Sequence, residues 1–165
     1  MSYFAHYPAD IVAQVERLLD ENKAASVLLN KYPDVHNIRT DRALYDYVMQ
    51  LKKNFMKQSG TISKVRYDDR VSAERNALGE HRFVSRVQGS KLKASNEIRI
   101  ASVFKKAPIE FLRAICVHEL AHLKEKGHDK AFYRLCLYME PDYHQLEFEI
   151  RLFLAHQDKW GPLYL

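Results

Sequence analysis

The segment from Pro108 to Gly127 constrains the fold more than any other part of the chain, because it reads as a helix that cannot stand alone. Pro108 fits the first helical position, where its missing N–H costs nothing, and Gly127 is a natural residue on which to stop. The helix expected over 109–126 carries Phe111, Leu112, Ile115 and Leu120, an apolar surface that needs a sheet to cover it. Upstream, residues 10–29 repeat Ile11, Val12, Val15, Leu18, Leu19, Val27 and Leu28 near the helical period, until Tyr32-Pro33-Asp34 breaks the pattern. A second helix is expected from an N-cap at Thr40 or Asp41 to near Gly60, with Leu44, Tyr45, Val48, Leu51, Phe55 and Met56 on one face.

From Thr61 the texture becomes β-rich. Residues 62–67, 70–74, 82–87 and 97–104 read as short strands, separated by Asp68-Asp69, Asn76-Ala77-Leu78-Gly79 and Gly89-Ser90. The alternation is clearest from Glu97 to Val103, as in a half-exposed strand. An antiparallel sheet of three to five strands is the simplest expectation. After the buried helix, Asp129 can cap a fourth helix that Pro141 stops. Asp142, with Gln145 three residues on, resembles a capping box for a fifth helix reaching about His156. Its Leu146, Ile150, Phe153 and Leu154 face the core. Helices, then strands, then helices predict one α+β domain over 1–165, with a helical part over 1–60 and the sheet and remaining helices over 61–165.

Composition narrows the classes further. The chain of 165 residues is long enough to bury a core, and no apolar run is long enough to span a membrane. The first residues show no basic and apolar pattern of a secretory signal, and Cys116 and Cys136 sit in apolar helical stretches where thiols pack as small hydrophobes. A cytoplasmic protein is expected. The net charge of +5 is unevenly placed: from Arg82 to Arg113 eight basic residues (Arg82, Arg86, Lys91, Lys93, Arg99, Lys105, Lys106, Arg113) face only Glu97 and Glu110. That excess can draw a phosphorylated partner, or it can be the solvated faces of strands, and no nucleic-acid motif accompanies it.

The chemistry-bearing residues lie in the buried helix. His118 and His122 are four residues apart, so both imidazoles leave one face and can share one ion. Glu119 is rotated by about 100° and is placed to act on a water rather than on the ion. Neutral imidazoles holding Zn2+, with a carboxylate as general base, are the working parts of a zinc hydrolase. The competing reading is two histidines on an amphipathic helix with no metal. A third ligand is expected at His128, returned to the ion by a reversal at Gly127. The alternatives are that His128 only caps the helix C-terminus, with Glu147 or Glu149 of the fifth helix completing the site. His144 and His156 read as surface or supporting groups, and His6, His36 and His81 have no evident partner.

Val117-His118-Glu119-Leu120-Ala121-His122, running on through Gly127-His128-Asp129 to Tyr133, resembles the metal motif of the YgjP-like metallopeptidase family, relatives of the SprT and WLM minimal zinc peptidases among the zincins. Ser85-Arg86-Val87-Gln88-Gly89-Ser90, Ala107-Pro108 and Met139-Glu140-Pro141-Asp142-Tyr143-His144 are similar to further landmarks of that family. The resemblance implies a zincin-like domain, zinc on His118, His122 and His128, Glu119 as general base, and an extended substrate lying along the strand 97–104. Many members carry Trp-Gly-Ser-Cys where Val87-Gln88-Gly89-Ser90 stands, and Trp where Tyr133 stands. Tyr133, Tyr143 and Arg86 are candidate transition-state stabilisers.

The leading expectation is therefore a peptidase-like zinc hydrolase acting on peptides or proteins. The alternative is a nucleoside triphosphate pyrophosphatase, for instance one hydrolysing UTP, suggested by the basic stretch and also attached to the resemblance. No phosphate-binding Gly-rich loop supports it. A non-catalytic, zinc-stabilised binding module is the third reading.

Overall fold

The computed structural model describes residues 2–72, 82–88 and 91–165. Its elements are α1 (Ala9–Asp20), α2 (Ala24–Lys31), α3 (Asp41–Phe55), β1 (Ile62–Asp68), β2 (Arg82–Gln88), β3 (Lys91–Ala101), α4 (Ile109–Ala121), α5 (Lys130–Met139) and α6 (Tyr143–Trp160), with short 3-10 turns at Ser2–Phe4 and Ser102–Lys106. The helix expected over 10–29 is two helices. Asn22 adopts a left-handed φ of 53°, and Lys23 N–H donates back to Leu18 O at 2.8 Å while Asn22 N–H donates to Leu19 O at 3.1 Å. This helix-ending pattern tolerates Asn as well as Gly, so the apolar period continues across a real break.

The sheet is mixed rather than antiparallel, which corrects the expectation. β3 lies in the centre, antiparallel to β2 but parallel to β1. The parallel register runs from Ile62 opposite Asn96 to Asp68 opposite Ala101. Ile98 and Ile100 point inward and are fully buried. The opposite face of the same pair carries an ion-pair lattice, with Arg66 to Glu97 at 3.2 Å and Arg99 to Asp68 at 3.4 Å. Residues 70–72 are turn and bend rather than strand. Residues 73–74, the Asn76-Ala77-Leu78-Gly79 turn, His81 and Gly89-Ser90 lie outside the described residues.

α3 docks on β1 through its start. Thr40 Oγ1 accepts from Ala43 N–H at 3.1 Å, Asp41 Oδ1 accepts from Tyr67 N–H at 2.9 Å, and Tyr67 O–H donates to Ile38 O at 2.5 Å. α4 is the central helix: Phe111, Leu112 and every residue from Ala114 to Ala121 are buried, against β3, α3, α5 and α6. Pro108 sits just before its first turn, its carbonyl accepting from Phe111 N–H at 3.1 Å. Cys116 and Cys136 are buried free thiols, and burial pushes the Cys136 thiol up to about 12, so neither is a reactive group. α6 runs to Trp160, where Gly161 at φ 93° ends it. The N-terminal turn and α1 fold back on α6 through Tyr3 O–H to Asp158 at 2.8 Å and Trp160 Nε1–H to Leu19 O at 2.7 Å. That return brings the first residues of the chain to the far end of α4. No helix among the described residues is long and apolar enough to cross a membrane.

Candidate metal centre

α4 stops at Ala121, earlier than the sequence pattern suggests, and the next residues form a tighter turn. Leu123 N–H and Lys124 N–H donate three residues back, at 3.0 and 3.1 Å. The tightening carries the Glu125 carbonyl onto His122, whose Nδ1–H donates to it at 2.9 Å. The chain then reverses through Gly127, and Asp129 starts α5 by accepting from Phe132 N–H at 2.9 Å. His128 is thereby set down against the helix it has just left.

The three imidazoles His118, His122 and His128 converge, with ligand nitrogens all within 4.8 Å of one another. His122 Nε2 and His128 Nε2 are 3.1 Å apart. Two nitrogens bound to one tetrahedral ion at about 2.05 Å stand about 3.3 Å apart, so the spacing suits a shared cation. The outer nitrogens are committed in the sense a metal requires. His122 gives its Nδ1–H to the Glu125 carbonyl. His118 Nδ1 lies 2.5 Å from the Tyr143 hydroxyl. A metal on His118 Nε2 requires the ring proton on Nδ1, and the phenol oxygen is placed to accept it. Both Nε2 atoms are left as lone-pair donors, the arrangement that supporting contacts impose on metal-binding histidines. The triad can hold a metal ion.

Packing gives the triad its rigidity. Phe132, fully buried, stacks on His122 at 4.5 Å and meets His118 edge-on at 4.9 Å. His118 and His122 are buried while His128 is exposed, and desolvation lowers the His128 pKa, with Glu147 opposing it. Glu119 is 0% exposed, on the same turn as His118.

A cleft of about 320 Å3 opens beside the triad. Besides His118 and His128, its walls are His6 and Tyr7 from the N-terminal segment, Tyr133 of α5, and Glu147 and Arg151 of α6. His122 and Glu119 are not in these walls. Arg151 is buried; one guanidinium N–H donates to Tyr3 O at 2.9 Å, and another nitrogen lies 3.9 Å from Glu147 Oε1. A broader groove of about 750 Å3 adjoins the cleft and shares His128 and Tyr133 with it.

The alternatives for the third ligand now separate. Glu149 is buried away from the triad, accepting from Tyr32 O–H at 2.7 Å and pairing with Lys31 at 2.8 Å. Glu147 does reach the cleft, where it stands 3.9 Å from Arg151. Tyr143 buttresses His118, while Tyr133 lines the cleft; the Arg86 side chain is outside the described residues. His144 is exposed on the broader groove, His156 is buried in α6, and His36 is buried beneath the 3-10 turn. Tyr7 and Arg151 were not anticipated and His6 had no evident partner; the Glu147/Arg151 spacing of one helical turn was the available signal. Of the basic stretch, Arg99 and Arg113 are tied into ion pairs, Arg113 with Glu140 at 2.8 Å. The side chains of Arg82, Arg86, Lys91 and Lys93 lie outside the described residues.

A histidine triad converging at the end of a buried helix, in a mostly helical α+β fold, defines a metal-binding protein of the HExxH kind. The chain belongs to the YgjP-like family, whose metallopeptidase domain it matches over residues 37–151. A UTP pyrophosphatase of Escherichia coli (strain K12) is 53% identical over 155 residues, covering 94% of this chain and 93% of that protein. No solved structure matches. The relative overturns the expectation of a peptidase-like hydrolase, and the metalloprotease label with it. The physical reason is that the motif specifies a metal, a water and a base, and is silent on which electrophile the water meets. What stands from the expectation is the coarser reading, a hydrolase with a metal-binding triad.

Proposed function

We propose that the chain is a metal-dependent nucleoside triphosphate pyrophosphatase acting on UTP or a close analogue. The observation that carries this is the 53% identity to a UTP pyrophosphatase along nearly the whole chain, taken with a histidine triad that opens on a cleft beside a broader groove. In this reading His118, His122 and His128 hold Zn2+, the ion best suited to a set of neutral imidazoles. Such an ion supplies Lewis acidity, stabilising charge on phosphate oxygens and easing the loss of a proton from water. Glu119, buried on the turn that carries His118, would be the group to take that proton. The α–β phosphoanhydride bond breaks, water adds across it, and the products are the nucleoside monophosphate and pyrophosphate.

The residues of the chain divide the remaining work. Tyr143 and the Glu125 carbonyl fix the two histidine rings, and Phe132 keeps water from their apolar flank. The test is a panel of nucleoside tri-, di- and monophosphates assayed for pyrophosphate and phosphate release. Release of pyrophosphate from UTP in preference to phosphate is the expected result; release of phosphate alone, or of nothing from any triphosphate, refutes the reading.

A further inference from the structure

A triphosphate that meets the triad by its α–β linkage must send its outer phosphates somewhere, and the inner cleft does not suit them. Its walls hold the Glu147 carboxylate, and its one guanidinium, Arg151, is engaged by the Tyr3 carbonyl and lies near Glu147. The groove on the other side of His128 and Tyr133 has the opposite character. Lys130, Arg134 and His144 line it, all exposed. Among the described residues neither Lys130 nor Arg134 forms an ion pair. One acidic residue, Asp129, shares that wall and caps α5 through Oδ1, which accepts from Phe132 N–H at 2.9 Å, so two cations face one carboxylate there.

Lys130 and Arg134 are one turn apart on α5, so their side chains leave the same face about 6 Å apart at the root. They stand on the helix whose first turn carries Phe132 against the triad. Their backbone is thus fixed relative to the metal ligands by the packing of Phe132 rather than by a loop. The basic stretch singled out in the sequence offers less: Arg99 and Arg113, where described, are already neutralised by Asp68, Glu97 and Glu140.

We infer that Lys130 and Arg134 form the subsite for the pyrophosphate end of the substrate, the β- and γ-phosphates that leave together, with the nucleoside directed to the inner cleft. This rests on the pyrophosphatase reading. The ammonium of Lys130 and the guanidinium fork of Arg134 bind phosphate oxygens in the ground state and stay with the leaving pyrophosphate. The subsite therefore acts on binding more than on the chemical step.

The experiment compares wild type, Lys130→Ala, Arg134→Ala and the double variant, for UTP hydrolysis, for inhibition by inorganic pyrophosphate and by UMP, and for pyrophosphate binding to the metal-free protein by calorimetry. In the double variant KM for UTP is expected to rise about tenfold or more, with a much smaller change in kcat. Pyrophosphate inhibition and binding weaken in parallel, while inhibition by UMP, which lacks the outer phosphates, holds. Unchanged KM and pyrophosphate affinity, with wild type active on UTP, overturn the subsite alone. Equal weakening of UMP and pyrophosphate also overturns it, because that is the mark of a general structural change. A wild type that releases no pyrophosphate from any triphosphate overturns the underlying reading and the subsite together.

Discussion

Replacing Tyr143 by Phe removes one oxygen from a side chain that is 2% exposed and otherwise leaves its packing in place. That oxygen lies 2.5 Å from His118 Nδ1 and accepts its N–H in the metal-binding tautomer. Without it the His118 ring can turn or carry its proton on the other nitrogen, and each route spoils Nε2 as a donor. Loss of such a supporting contact weakens metal binding about 10- to 100-fold, which is about 1.4 to 2.7 kcal/mol. The variant also leaves a buried N–H without its acceptor, at a cost of about 1 to 3 kcal/mol to the metal-free fold. The two effects separate by assay. Competition against a chromophoric chelator reads the metal affinity, and thermal unfolding with and without zinc reads the fold. The variant is expected to gain less stability from zinc than wild type does, because the stabilisation by a ligand follows its affinity. A metal affinity within twofold of wild type, beside a lowered unfolding midpoint, would refute the role of Tyr143 in fixing His118 and leave it a packing residue.

Other substitutions divide the site into its parts. His118→Ala and His122→Ala are each expected to abolish stoichiometric metal binding, while Glu149→Gln retains it and costs only the contacts to Tyr32 and Lys31; metal analysis after dialysis distinguishes them. Glu119→Gln is expected to keep the metal and lose about 10²- to 10⁴-fold in turnover, read by pyrophosphate release beside metal content. His36 gives a pH prediction away from the metal. It is buried, its Nε2–H donates to Phe104 O at 2.7 Å and its Nδ1 accepts from Ile38 N–H at 2.9 Å, so the fold needs the neutral ring, and desolvation lowers its pKa. The unfolded chain then binds more protons than the folded one below about pH 6.5, and stability falls with falling pH by at most about 1.4 kcal/mol per unit from this group. Urea unfolding at stepped pH is expected to show that decline, shallower in His36→Gln; an unchanged profile refutes it.

How much of this was legible in the sequence depended on how local each cause is. The caps at Thr40 and Asp129 were readable because each is a side chain bonding to its own helix three residues on. Asp142 followed the same rule and failed: its side chain makes no cap bond, and instead its own N–H donates to Glu140 Oε2 at 3.0 Å. Glu140 is held there by Arg113 of α4, a contact no local pattern carries. The parallel pairing of β1 with β3 was hidden for the same reason, since alternation reports which face a residue takes and not which neighbour the strand finds. The convergence of His118, His122 and His128 was legible because ten residues and one reversal produce it. The cleft was not, because Tyr7, Tyr133 and Arg151 come from three distant parts of the chain: the N-terminal segment, α5 and α6. The charge count over 82–113 left both of its readings open, because Asp68 and Glu140, which pair with Arg99 and Arg113, lie outside that window.

The central claim is that the histidine triad holds the metal on which hydrolysis of a nucleoside triphosphate depends. The most direct measurement is pyrophosphate release from UTP by protein stripped with a chelator, then restored with one equivalent of Zn2+, in wild type and in His128→Ala. The account predicts that stripping abolishes release in wild type, that zinc restores it, and that His128→Ala is not restored at the same equivalence. Undiminished release by the stripped protein, or full restoration of the variant, would contradict it.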